Sequence, residues 1–99
     1  MVTVIQERHI KPGKQEELKV LLRQLRLAAM NHPGYVTGET LVNVADPNHE
    51  IVIGTWRTQE DWKAWEADKQ RQEIARKIRA LLTKPPKATV CAVFDWQQD

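Results

Sequence analysis

Residues 51–65, IVIGTWRTQEDWKAW, limit what this chain can fold into more than any other stretch. An apolar run closes on Trp56, and Thr58 with Asp61 has the spacing of an N-cap and capping box, so a strand passes directly into a helix. Trp62 and Trp65 then follow one helical turn apart. A strand that hands over to a short Trp-bearing helix, late in a chain of 99 residues, predicts an α+β architecture.

The rest of the chain reads around that junction. Residues 2–10 alternate as a strand, with Val2, Val4 and Ile10 on one side and Ile5 on the other, until Pro12-Gly13 stops it. From 14 to about 31 comes an amphipathic helix. Leu18, Leu21, Leu22, Leu25, Ala28 and Ala29 share a narrow arc, while Val20 and Leu27 make a small apolar spot on the polar side. His32-Pro33-Gly34 ends it, with Gly34 as the left-handed cap and Pro33 preventing continuation. Residues 35–44 and 49–57 read as two strands of a hairpin, with turn chemistry at Asp46-Pro47-Asn48. A helical region runs from about 59 to 82, Lys84-Pro85-Pro86-Lys87 breaks it, and residues 88–96 form a final strand. The order βαββαβ, in a single domain over residues 1–99, predicts a ferredoxin-like fold: an antiparallel sheet of four strands with the helices on one face.

Two patterns refine this. One set of alternate strand positions is strongly apolar: Val36, Val42, Val44, Val52, Trp56, Val90, Ala92, Phe94 and Trp96. The other set still carries Leu41, Ile51, Ile53, Cys91 and Val93, too apolar for a face left to water. A second copy of the same sheet is the simplest cover, so the pattern predicts a homodimer packed sheet to sheet. In the late helical region Trp62 and Trp65 point one way, and Ile74, Ile78 and Leu81 point nearly opposite, across the polar run DKQRQE. Either the helix breaks near Asp68 or one continuous helix buries two faces; the break, giving a short Trp helix and then a longer one, is the reading favoured.

Composition narrows the function classes. The net charge is +2, with 15 basic residues interleaved among 13 acidic ones and no basic stripe, which argues against nucleic acid as a partner. No apolar run approaches membrane-spanning length, and the N-terminus enters a strand without an apolar signal core. The single cysteine, Cys91, rules out an intrachain disulfide and fits a reducing compartment, so a cytoplasmic protein is expected.

Four stretches, KPGKQEEL, HPGYVTGETL, IVIGTWRTQEDWKAW and LLTKPPKATV, together resemble the antibiotic biosynthesis monooxygenase domain family, dimeric α/β-barrel relatives of the ferredoxin-like fold. They span nearly the whole chain in the family's order. The family includes quinone-forming monooxygenases, heme-degrading enzymes and members of unknown role. In the heme-degrading branch the resemblance implies an Asn in the first strand, a Trp on the short helix, and an iron-ligating His one short helix later. Trp65 matches the Trp, but Glu7 within Gln6-Glu7-Arg8 takes the Asn position, and Glu73-Ile74-Ala75-Arg76-Lys77 has no histidine. Without an axial nitrogen or sulfur donor, heme degradation is not expected.

The quinone-forming branch implies a reaction that needs no cofactor. A phenolic or dihydroxy aromatic substrate is deprotonated and its anion reacts directly with oxygen. Such chemistry asks for an apolar pocket, a proton acceptor and donors for the developing oxyanion. The candidates are Glu7 or His9 as catalytic base, Trp65 as a ring on which a planar substrate stacks, and Arg8 or Asn43 as polar orienters. Glu7 and His9 share a strand face with Thr3 and Ile5, so one pocket can hold both.

Plainer readings stand beside these. Trp62 and Trp65 also suit core or interface packing, and Glu7 and His9 suit a surface or interface ion pair. His32 and His49 have no partner at ligand spacing, so no metal site is expected, and Cys91 reads as a small buried hydrophobe. The basic run from 69 to 84 reads as a solvated helix face. Phosphate-binding glycine patterns, paired cysteines and serine elbows are absent. Two functions follow: a cofactor-independent monooxygenase acting on a planar aromatic or quinol-like molecule, or a non-catalytic dimeric module that binds a hydrophobic metabolite or serves regulation and interaction. An open pocket beside Trp65 with a carboxylate or imidazole favours the first, and a collapsed core there favours the second.

Overall fold

The computed structural model describes residues 1–94, so the strand position expected for Trp96 lies outside the described residues. Strands β1 (Val2–His9), β2 (Tyr35–Asn43), β3 (Asp46–Trp56) and β4 (Lys87–Ala92) pair antiparallel in the order β2-β3-β1-β4. Helices α1 (Gln15–Met30), α2 (Gln59–Ala67) and α3 (Lys69–Arg79) complete the ferredoxin-like order, with the second helical region in two pieces. Among the described residues, no helix is long and apolar enough to cross a membrane.

Register decides which side chains meet the helices. Val4 opposes Gly54, Gln6 opposes Val52 and Arg8 opposes Glu50. Val4 and Trp56 are buried in one cluster with Ala29, Trp62 and Trp65, so these positions form the helix-side face. Ile5 with Ile53, Glu7 with Ile51, and His9 with His49 occupy the other face. That outer face keeps Ile5 and Leu41 37% and 42% exposed.

Helix α1 forms as its pattern predicts, burying Leu18 and packing Leu21, Leu22 and Leu25, while Val20 and Leu27 stay exposed. Glu16 and Glu17 in its first turn face the positive end of the helix dipole. Its end differs from expectation. The helix closes at Asn31, whose amide donates to the Leu27 carbonyl, and Gly34, at φ 86°, belongs to the turn entering β2. There its carbonyl accepts the Arg57 N–H, and any Cβ would collide with Asp61.

The break near Asp68 is present. Asp68 is extended (φ −63°, ψ 130°), ends α2 and caps α3, accepting the Arg71 N–H at 2.9 Å. One extended residue rephases the helix, so the Trp face of α2 and the Ile74/Ile78 face of α3 both turn inward. At the start of α2, Thr58 Oγ accepts the Asp61 N–H at 3.0 Å.

The hairpin is a correction. Its tip is Val44-Ala45, and Asp46-Pro47-Asn48 lies inside a bulged start of β3. The turn chemistry is still used there, since Asp46 Oδ1 accepts the Asn48 N–H. Val44 is consequently solvent-exposed, and Val36 sits at a second irregularity of β2, so neither joins the helix-side face.

The core has two lobes. One joins Ile10 and Leu18 to Ile74, Ile78, Leu81 and Leu82. The other gathers the tryptophans with Val4 and Ala29. Leu25 touches both.

Candidate functional site

Beside the tryptophan lobe the helix-side face is not filled. Gly38 and Gly54 are register partners on neighbouring strands, leaving two adjacent positions without a side chain. The Tyr35 hydroxyl lies over this bare backbone, 2.9 Å from where a Gly38 Cβ would stand. Above it, α1 presents Leu22, Leu25 and Ala29, and the α2 tryptophans close one end. The result is a partly open cavity of about 320 Å³, within the size range of small-molecule sites.

Its aromatic wall is preformed. Trp56 lies nearly parallel to Trp65, with centroids 5.9 Å apart at 26°, and meets Trp62 edge-on at 6.1 Å. Tyr35 stands perpendicular to Trp56 at 5.6 Å. His32, from the turn after α1, is edge-on to both Trp56 and Trp65, at 5.9 and 5.4 Å. Each such contact adds about 0.5–1.5 kcal/mol beyond area burial, so the wall holds its shape without a ligand. Sequence reading placed His32 only in a helix stop; its ring contacts come from the chain folding back onto α2.

Two arginines line the same cavity. Arg8 is nearly fully buried and its Nη1 donates to Glu50 Oε1 at 3.4 Å. Burial pushes its pKa down, and the Glu50 carboxylate opposes that. Arg71 is half-buried over the indoles of Trp62 and Trp65, 5.6 and 6.0 Å from their centroids. Burial likewise lowers its pKa. Arg71 fell within the run read as a solvated face; the helix break turns it inward.

The remaining candidates lie elsewhere. Trp65 and Arg8 line the cavity, whereas Glu7, His9 and Asn43 occupy the outer face. There Asn43 Nδ2 contacts His49 Nδ1 at 3.0 Å, His49 Nε2 contacts Glu7 Oε1 at 3.0 Å, and the His9 and His49 rings stack at 4.7 Å. One pocket does not bring Glu7 and His9 to Trp65. The inward first-strand positions are Gln6 and Arg8, because strand alternation turns Glu7 away. No imidazole or thiol lines the cavity, and among the described residues no cluster of three or more His, Cys, Asp or Glu has metal-binding geometry.

The chain is an α+β domain, a ferredoxin-like sheet with a Trp-walled cavity beneath its long helix. The chain belongs to the antibiotic biosynthesis monooxygenase family, whose model matches residues 1–77. An antibiotic biosynthesis monooxygenase of known structure superposes with a TM-score of 0.88 at 20% identity, over 96% of this chain and 100% of that one. SnoaB, a cofactor-independent oxygenase from Streptomyces nogalater, does so with a TM-score of 0.85 at 17% identity, over 99% and 97%. A protein from Mycobacterium tuberculosis gives 0.84 at 18%, over 98% of each chain. At such identities these likenesses speak for the fold. A comparison with curated proteins finds no match.

Proposed function

We propose that the protein is a cofactor-independent monooxygenase that oxidises a planar aromatic, quinol-like molecule held beside Trp65, working as a cytoplasmic homodimer. The cavity carries this reading: a partly open space of about 320 Å³, lined by indoles and guanidinium groups. Family membership and the likeness to an oxygenase that needs no cofactor support it.

The chemistry is an oxidation at an activated ring carbon. Loss of a proton gives an electron-rich anion, which donates electrons to oxygen and forms a carbon–oxygen bond. The resulting peroxide takes up a proton. Loss of the remaining C–H proton and cleavage of the O–O bond then release water and leave a carbonyl. One oxygen atom enters the product, and the substrate's own electrons reduce the other. The protein's part is electrostatic and steric. Arg8 and Arg71 favour the anion and so lower the substrate's pKa, while the tryptophans orient the ring. Glu7 and His9 lie across the sheet, so in this reading the proton leaves through the open side of the cavity to solvent.

One observation favours the alternative of a non-catalytic module that binds a hydrophobic metabolite. The Glu50 carboxylate beside Arg8 is already tied to that guanidinium, and no imidazole lines the cavity to act as a base. Oxygen uptake with an anthrone or naphthoquinol, measured above the uncatalysed rate, separates the two. The oxygenase reading expects uptake that Trp65→Ala abolishes in a folded protein. No uptake by the native chain, or uptake untouched by Trp65→Ala, defeats it. Unfolding of that variant, at the ~3–5 kcal/mol typical of large aromatic deletions, assigns Trp65 to packing.

A further inference from the structure

The charge of the cavity is one-sided. Arg8, Lys19, Arg23, Arg26 and Arg71 line it, and among the described residues Glu39 is the one carboxylate of that lining, while Glu50 pairs with Arg8 and Glu16 with Lys19 from outside it. Glu39 opposes Ile53 in the register, so it alternates to the outer face.

Two of the cations have donors to spare. Glu50 takes one N–H of the Arg8 guanidinium, which carries five. No buried side-chain nitrogen or oxygen among the described residues lacks a partner, so the remaining Arg8 donors open onto the cavity they line. Arg71 Nη1 donates to the Glu66 backbone carbonyl at 3.3 Å, and among the described residues no carboxylate lies within ion-pair distance of it. Its guanidinium carbon lies over the indoles, and the Glu66 carboxylate acts on it only at longer range. Burial has already made both cations costlier than in water, and an arriving anion reverses that cost.

We propose that the cavity selects planar aromatic ligands bearing a carboxylate, with the rings against the tryptophan wall and the carboxylate on Arg71 and Arg8. This rests on the cavity being the ligand site, as in the preceding reading, and adds the ligand's charge. A guanidinium fork matches a carboxylate in two parallel hydrogen bonds, and each is strengthened by charge. A neutral ligand of the same shape leaves these donors unmatched. Arg23 and Arg26, exposed at the rim, draw an anion toward the opening.

Calorimetric titration with anthraquinone-2-carboxylate and its neutral carboxamide tests this, and both probes are already oxidised, so neither is turned over. The carboxylate is expected to bind at least about tenfold tighter, the advantage one unshared charge-assisted contact confers. The ratio should fall toward one in Arg71→Gln and lie between in Arg71→Lys, which keeps the charge without the fork. Equal affinities in the native protein, no binding of either probe, or an unchanged ratio in a folded Arg71→Gln would each overturn the proposal. If Arg71→Gln fails to fold, the native ratio and Arg71→Lys decide. A carboxylate preference without oxygen uptake removes the oxygenase reading and leaves this one. Oxygen uptake without the preference does the reverse.

Discussion

A guanidinium as deeply buried as that of Arg8 is tolerable only beside an acid, and Glu50, with 13% of its side chain exposed, supplies it. Removing one member strands the other. Arg8→Met is expected to destabilise the fold by about 3 kcal/mol, the lower end for breaking a buried pair, because Glu50 keeps some contact with water. The double variant Arg8→Met with Glu50→Leu should recover most of that loss. Urea denaturation of the native, single and double variants checks it, and a double variant as unstable as the single would show that the charge pair is not the cause. Arg8 stands among the residues that sequence reading singled out, but Arg71 does not. Its place in a basic run looks solvated until the rotation of α3 is known, and that rotation depends on a single residue's backbone.

That residue is Asp68, and at the level of elements it has the largest consequence for the cavity. Its carboxylate satisfies an orphan amide at the start of α3, while its extended backbone sets the angle between α2 and α3. Asp68→Ala is expected to cost about 1 kcal/mol, and Asp68→Asn, which keeps an accepting oxygen, much less. Thermal melts of the two variants give the comparison, and equal losses would remove the cap from the account. The break itself was legible because two apolar faces half a turn apart cannot both reach one sheet on an unbroken helix. The hairpin was less legible. Asp46-Pro47-Asn48 has turn residues, but the chain turns two residues earlier and uses the same side-chain bond to shape a bulge.

For the molecule as a whole, a 99-residue domain has a small core, here divided into two lobes, and gains from association. The outer sheet face, where Ile5, Leu41, Ile51 and Ile53 meet Glu7, His9 and His49, is the surface on which a second copy would sit. A dimer by light scattering at micromolar concentration is therefore expected, and Ile53→Glu should make it monomeric. A native chain that is already monomeric would sink this assembly without touching the cavity.

Periodicity alone determined the element order, the sheet with helices on one side and the helix break, because burial repeats every two residues in a strand and every 3.6 in a helix. Only the tertiary structure decided where the site lies. The space beneath α1 exists because Gly38 and Gly54 meet across two strands, and Arg71 reaches it because α3 is rephased. Gly38, Gly54 and Arg71 are far apart in sequence, and the alternation that sends Arg8 inward sends Glu7 away. A pocket is a coincidence of distant positions in space, and spacing along one chain does not record it.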